Sequence, residues 1–354
     1  MENSFQSVGK GRALHLSESG FLYFSRGYDV FRTPVRNPMG TIESCGRLPG
    51  RRRRSIPAYL RAAARLLRFE VKALLEVGSN DLVASIREGL FWRSGGNKWT
   101  KSSVLPAGAL PPKSPMRMSV TDAGHVVWGE YGRNMKRDPV SIYCSRDGGR
   151  LYEPVFTFEG GDIRHIHHVI PTAQKDGFWV LSGDYGDEPG IAHLSLDFSA
   201  LNWVVRGAQS HRAVHVFEES GSLVYGTDTE LEKNRIVRLN TETKGIEDTQ
   251  ELNGSSLYGT QIAGYNVLST TVEPSDINQS RDAEVWLQER DGNWAHILSG
   301  RKDWFPGLPF QFGSWVLPTG ATNEPFLFVS GQSLKKYDDE ILMLDLRKTA
   351  FWVE

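Results

Sequence analysis

Short apolar runs, each opened by a turn bearing Gly, Asp, Asn or Pro, recur along the whole 354-residue chain. They stand at Gly20-Phe21-Leu22-Tyr23, Asp81-Leu82-Val83, Gly124-His125-Val126-Val127 and Gly177-Phe178-Trp179-Val180. They return at Gly221-Ser222-Leu223-Val224-Tyr225, Gly264-Tyr265-Asn266-Val267 and Glu324-Pro325-Phe326-Leu327. Measured between Leu22, Leu82, Val126, Phe178, Leu223, Val267 and Phe326, the spacings are 60, 44, 52, 45, 44 and 59 residues. A further apolar run follows in each unit, for example Gly89-Leu90-Phe91-Trp92, Val140-Ser141-Ile142-Tyr143 and Ile341-Leu342-Met343-Leu344. Short strands at this spacing, with Gly-rich turns and no crossover helices, predict blades of four antiparallel strands. The expected fold is all-β: one seven-bladed β-propeller domain spanning residues 1–354.

One segment breaks the strand pattern. After Arg51-Arg52-Arg53-Arg54, Ser55 with Pro57 reads as a helix start. At about 100° per residue, Ile56, Leu60, Ala63, Ala64, Leu67, Val71 and Leu74 share a stripe flanked by Arg61, Arg65, Arg68 and Lys72. A basic amphipathic helix over residues 51–76 is therefore expected between blades one and two. Such a helix can pack on the propeller, dock on an acidic partner, or bind an anionic membrane surface.

Charge sharpens this picture. The chain has 41 basic and 42 acidic side chains, which argues against a general nucleic-acid binder. Residues 1–80 alone hold 14 Lys+Arg and 6 Asp+Glu, a balance of +8, leaving −9 for the remainder. Two cysteines, Cys45 and Cys144, make neither a disulfide framework nor a four-ligand zinc site. No apolar stretch approaches the roughly 20 residues of a membrane span, and no secretion signal is visible at Met1-Glu2-Asn3-Ser4-Phe5. The expected location is cytoplasmic, peripheral at the inner membrane face.

Ser145-Arg146-Asp147-Gly148-Gly149-Arg150-Leu151-Tyr152 fits the Asp-box pattern S-x-D-x-G-x-x-aromatic, with a looser relative at Ser195-Leu196-Asp197. Its Asp should accept turn amides and its glycines take positive φ, so the motif is expected to fold a blade rather than do chemistry. At these residues the chain resembles the Asp-box (BNR-repeat) propellers, the superfamily that includes sialidases. The segments Gly129-Glu130-Tyr131, Ile163-Arg164-His165-Ile166-His167, Gly226-Thr227-Asp228 and Thr271-Val272-Glu273-Pro274-Ser275 resemble a bacterial glycosyl-hydrolase-like branch. That resemblance implies a link to polysaccharide biosynthesis. The F/Y-R-I-P start of secreted sialidases is absent.

In a propeller the inner strands and the loops joining strands two and three converge on one face, where ligands usually sit. Inner-strand starts supply Arg117, Arg164, His165, His167, Arg212 and Tyr258. The loops supply Glu130, Tyr131, Asn134, Asp184, Asp228 and Glu273. Arginine forks bind carboxylate or sulfate bidentately, and paired acids can run glycoside hydrolysis. The leading expectation is a glycoside hydrolase-like enzyme on an acidic oligo- or polysaccharide, with Glu130, Asp184, Asp228 and Glu273 as acid, base or nucleophile. Arg117, Asn134, Arg164, Arg212 and Tyr258 would hold the sugar. One alternative is a polysaccharide lyase in which His165 or His167 is the base and Tyr131 or Tyr258 the acid. Another is a non-catalytic propeller that binds a glycan or an assembly partner. No cofactor is expected, although His165 and His167, two apart on a strand, leave a divalent metal open.

Overall fold

The computed structural model describes residues 4–50, 65–66, 69–78, 80–105, 114–307 and 310–352. The chain is all-β and divides into two compact units: residues 1–71, 230–235 and 249–354, and residues 72–229 and 236–248.

The second unit is built from consecutive antiparallel meanders. The first meander runs Ala73–Glu76, Asp81–Ile86, Gly89–Ser94 and Thr100–Lys101. The next runs Pro115–Val120, Val126–Glu130, Val140–Ser145 and Leu151–Phe158, with Ser103–Val104 added parallel to the last strand. Then come His165–Pro171, Gly177–Gly183, Gly190–Ser195 and Leu201–Arg206, followed by Phe217–Glu219, Ser222–Gly226, Arg235–Asn240 and Ile246–Glu251. Each landmark residue of the sequence repeat in this unit falls in the second strand of its meander.

Neighbouring meanders share apolar cores. Val83 and Leu90 pack with Met118, Val126 and Trp128, while Val127 and Ile142 pack with Ile166, Val169 and Val180. Leu181 and Ile191 continue the series against Ala213, Leu223 and Val237. Strands covered on both faces read as near-continuous apolar runs rather than alternating ones, which is why Phe178 to Leu181 carries no polar residue.

The first unit holds a 13-stranded sheet among the described residues. Arg12–Leu16, Phe21–Arg26, Asp29–Pro34 and Glu43–Arg47 form one meander within it. Ser255–Ile262, Tyr265–Val272, Asp282–Gln288 and Trp294–Arg301 form another. Gly313–Val316, Phe326–Gln332 and Glu340–Asp345 are completed by the N-terminal strand Gln6–Lys10, which pairs with Glu340–Asp345. The first strands of several meanders share an irregularity: the register shifts at Ala13–His15, Pro115–Met118, Ile166–His168 and Ser256–Tyr258.

Most of the helix expected over residues 51–76 lies outside the described residues. Arg65 and Leu66 have helical backbone, but Ala73–Glu76 is a strand, so the apolar stripe does not run through Leu74. A short apolar run buried on both faces has no period to separate strand from helix. Arg65 does not sit on a solvated flank either: it is 2% exposed and ion-paired to Asp303, beside the Phe305 ring. No described helix is long and apolar enough to cross a membrane.

The Asp-box turn behaves as its sequence expects. Asp147 Oδ1 accepts from Ser145 Oγ at 2.7 Å and from the amides of Arg150 and Leu151 at 3.1 and 3.0 Å. Gly149 has φ +85°, and a Cβ there would lie 2.4 Å from Val83 Cγ2, so glycine is required twice over. Tyr152 is fully buried, edge-on to Trp128. Ser195 and Asp197 build a similar turn, with Ser195 Oγ donating to Asp197 Oδ1 at 2.6 Å.

Candidate functional site

In the second unit a group of charged side chains meets at the start of His165–Pro171. The pairing runs His165 to Gly183 and Ile166 to Ser182, then His168 to Leu181, which leaves His167 as an extra, bulged residue. Bulges re-aim side chains and are common beside active sites. Both imidazoles turn to one point, Nε2 to Nε2 at 3.1 Å. Each is anchored from behind: His165 Nδ1 is 3.1 Å from Gly132 O, and His167 Nδ1 is 2.9 Å from Ala213 O. A carbonyl only accepts, so the proton of each ring belongs on Nδ1.

Asp184 closes the triangle, its Oδ1 lying 3.2 Å from His165 Nε2 and 3.3 Å from His167 Nε2. It leaves the end of Gly177–Gly183 on a loop that folds back on itself. Ser182 Oγ donates to Glu188 O at 2.8 Å, and the Asp184 amide donates to Glu188 Oε2 at 3.3 Å. Gln209 Nε2 holds the Asp184 carbonyl at 2.9 Å and is itself fixed by Thr229. Burial works against the ionised Asp184; a proton on Nε2 of His165 or His167 would donate to it, and that hydrogen bond and charge hold the carboxyl well below the usual carboxylate range.

Arginines surround this carboxylate. Arg212 Nη2 lies 3.1 Å from Asp184 Oδ1, and Arg212 Nε lies 3.5 Å from Asp228 Oδ2. Arg164 precedes the strand and so escapes the alternation that would put it on the opposite face. It comes to 3.8 Å from Asp184 and 4.0 Å from the buried Glu188, which also pairs with Arg137. The buried Arg164 Nε has no hydrogen-bond partner among the described residues. The Tyr185 ring lies 4.8 Å from the Arg164 guanidinium and 5.8 Å from that of Arg212. The Tyr131 ring lies tilted against His165, 4.5 Å between ring centres.

His165, His167, Asp184, Arg164, Arg212, Asp228 and Tyr131 thus form one cluster, as their strand and loop positions suggested. Other expected residues have different surroundings. Glu130 Oε2 accepts the Ser141 amide at 2.9 Å, and Asn134 closes its own loop through Asp138. Arg117 bears on another histidine pair, buried His168 and half-buried His215, where loss of solvation and the arginine's charge push His215 down to about 3. Tyr258 and Glu273 belong to the first unit, and the Tyr258 hydroxyl accepts from Arg12 at 3.3 Å. Sequence reasoning gave no role to Glu188, Arg137 or Gln209. Only the spacing of Glu188, four residues after Asp184, hinted that the loop closes on itself.

No protein-family model matches this chain, and no curated protein sequence matches it. Solved structures do. The extracellular domain of a one-component system from B. thetaiotaomicron aligns at TM-score 0.59 and 12% identity, over 97% of this chain and 40% of that one. A Mycobacterium tuberculosis puromycin-hydrolyzing peptidase aligns at 0.58 and 11%, over 91% and 49%. An ancestral GH74 enzyme aligns at 0.50 and 13%, over 94% and 45%. The chain spans less than half the length of each of these structures. At such identities the likeness speaks for the fold alone: the chain is all-β with β-propeller-type neighbours.

Proposed function

We propose that the second unit carries an active site for an acidic sugar, and that its chemistry is β-elimination rather than hydrolysis. The observation behind this reading is the half-buried Arg164 guanidinium between Tyr185 and Asp184, whose Nε makes no hydrogen bond among the described residues. A buried unpaired donor is costly, and a carboxylate or sulfate ligand would satisfy it. Hydrolysis needs one carboxyl kept protonated by its surroundings. Here Asp184, Asp228 and Glu188 are each ion-paired to an arginine, and none sits in an apolar pocket of the kind a general acid uses. We therefore favour the lyase alternative over the paired-acid mechanism expected from sequence.

In that reaction the proton beside the sugar's carboxylate leaves, its electron pair forms the new double bond, and the C–O bond breaks with protonation of the leaving oxygen. Arg164 and Arg212 would neutralise the carboxylate, and the Tyr131 hydroxyl would move the proton. His165 and His167, 4% and 2% exposed with both Nε2 atoms turned inward, serve better as an electrostatic anchor than as a free base. We also read the four-stranded groups as seven blades of one ring, with Gln6–Lys10 beside Glu340–Asp345 as the seam. The arginine run at positions 51–54, outside the described residues, remains a proposed contact for an anionic membrane surface.

The purified protein should raise ultraviolet absorbance on a uronate-containing polysaccharide as the unsaturated product forms. Tyr131→Phe and Arg164→Gln should lower that rate more than about 100-fold, while Glu130→Gln leaves it nearly unchanged. New reducing ends without absorbance would instead establish hydrolysis. Binding without either product would leave the glycan-binding reading.

A further inference from the structure

The inward-facing triangle of His165, His167 and Asp184 brings three lone-pair-bearing atoms from two segments to one point. Both Nδ1 atoms face backbone carbonyls, so both Nε2 atoms present lone pairs. With Asp184 Oδ1, three acceptors then stand 3.1, 3.2 and 3.3 Å apart in a buried corner. A single cation at the centre satisfies all three donors at once.

We propose that His165 Nε2, His167 Nε2 and Asp184 Oδ1 form a three-ligand site for a divalent transition-metal ion. The triangle has the right size. A cation about 2.1 Å from each donor would subtend angles of about 100° between them, as in tetrahedral or facial octahedral coordination. The support behind the ligands fits as well. Metal-bound histidines hand their second N–H to a carbonyl or carboxylate, here Gly132 and Ala213, and ligating carboxylates are themselves hydrogen-bonded, here by Arg212. Three protein ligands leave a position for water or substrate. Two imidazoles with one carboxylate suit Zn, Fe or Mn better than Ca or Mg. This site stands on the donor geometry and holds whether or not the acidic-sugar reading does.

The test uses the intact chain, stripped with a chelator and titrated with Mn(II), Zn(II) and Co(II) salts alone by calorimetry, with no turnover in the readout. One ion per chain should bind with micromolar or tighter affinity, and bound Co(II) should show the visible absorption of nitrogen ligation. His167→Gln and Asp184→Asn should each weaken binding at least about 10-fold while circular dichroism matches the parent. His193→Gln, at a histidine outside the cluster, should leave it unchanged. Should either ligand variant unfold, the Co(II) spectrum of the parent decides alone. No saturable binding, or equal binding by folded ligand variants, overturns the proposal.

Discussion

Asp147 and Asp184 are two aspartates of the same unit, both with carboxyls held below the ordinary range, yet they are built in opposite ways. Asp147 takes its hydrogen bonds from Ser145, Arg150 and Leu151, all inside one turn. Burial opposes its charge, and these local donors overcome the penalty. Asp184 meets His165, His167, Arg212 and Arg164, brought from separate strands and loops. The first carboxylate completes a turn. The second is the meeting point of charges and lone pairs from separate segments, and the place where we propose a metal ion.

The largest expected effect follows from removing the second aspartate. Asp184→Ala leaves the buried Arg212 and half-buried Arg164 short of a counter-charge and should cost on the order of 3 kcal/mol in chemical denaturation. Asp147→Ala should cost about 1 kcal/mol, since its partners can turn to water, and should leave metal binding untouched. Equal losses at the two sites would erase the distinction drawn between them.

A pH experiment separates the cluster from ordinary buried histidines. Burial in the first unit lowers His15 to about 4 from the usual 6.5. Between those values the unfolded chain binds a proton that the folded chain refuses, so stability is complete above pH 6.5 and declines as pH falls toward 4. The decline should be on the order of 3 kcal/mol for this residue. His15→Gln should flatten the slope by about one proton in that window. An unchanged slope would show that His15 is protonated in the folded state.

A smaller probe is Gly183→Ala. Its Cβ would stand 2.9 Å from His167 Cε1 and 3.2 Å from Arg212 Cγ. It should loosen metal binding about 10-fold at a stability cost of about 1 kcal/mol. Loss of stability with no change in binding would mean that the His167 ring position is irrelevant to the site.

How much of this was legible in sequence follows the same division. Turn chemistry is local, so Ser145 to Tyr152 could be read directly, and the repeat spacing placed the second strand of each meander. Arg164, His165, His167, Asp184, Arg212 and Asp228 could be grouped because the repeat put them at equivalent strand starts and loops. What failed depended on burial from outside the local window. Leu74 sits in a strand because both faces of Ala73–Glu76 are covered, and Arg65 is buried by its pairing with Asp303. The tautomers of His165 and His167 were equally hidden, since Gly132 and Ala213, which set them, lie 33 and 46 residues away in the chain.

The most direct test is anomalous scattering from crystals of the full chain soaked in Mn(II), measured with Glu188 and Arg212 intact. The account predicts one strong peak about 2.1 Å from His165 Nε2, His167 Nε2 and Asp184 Oδ1. A featureless map at that corner, with the two imidazoles still 3.1 Å apart, would contradict it.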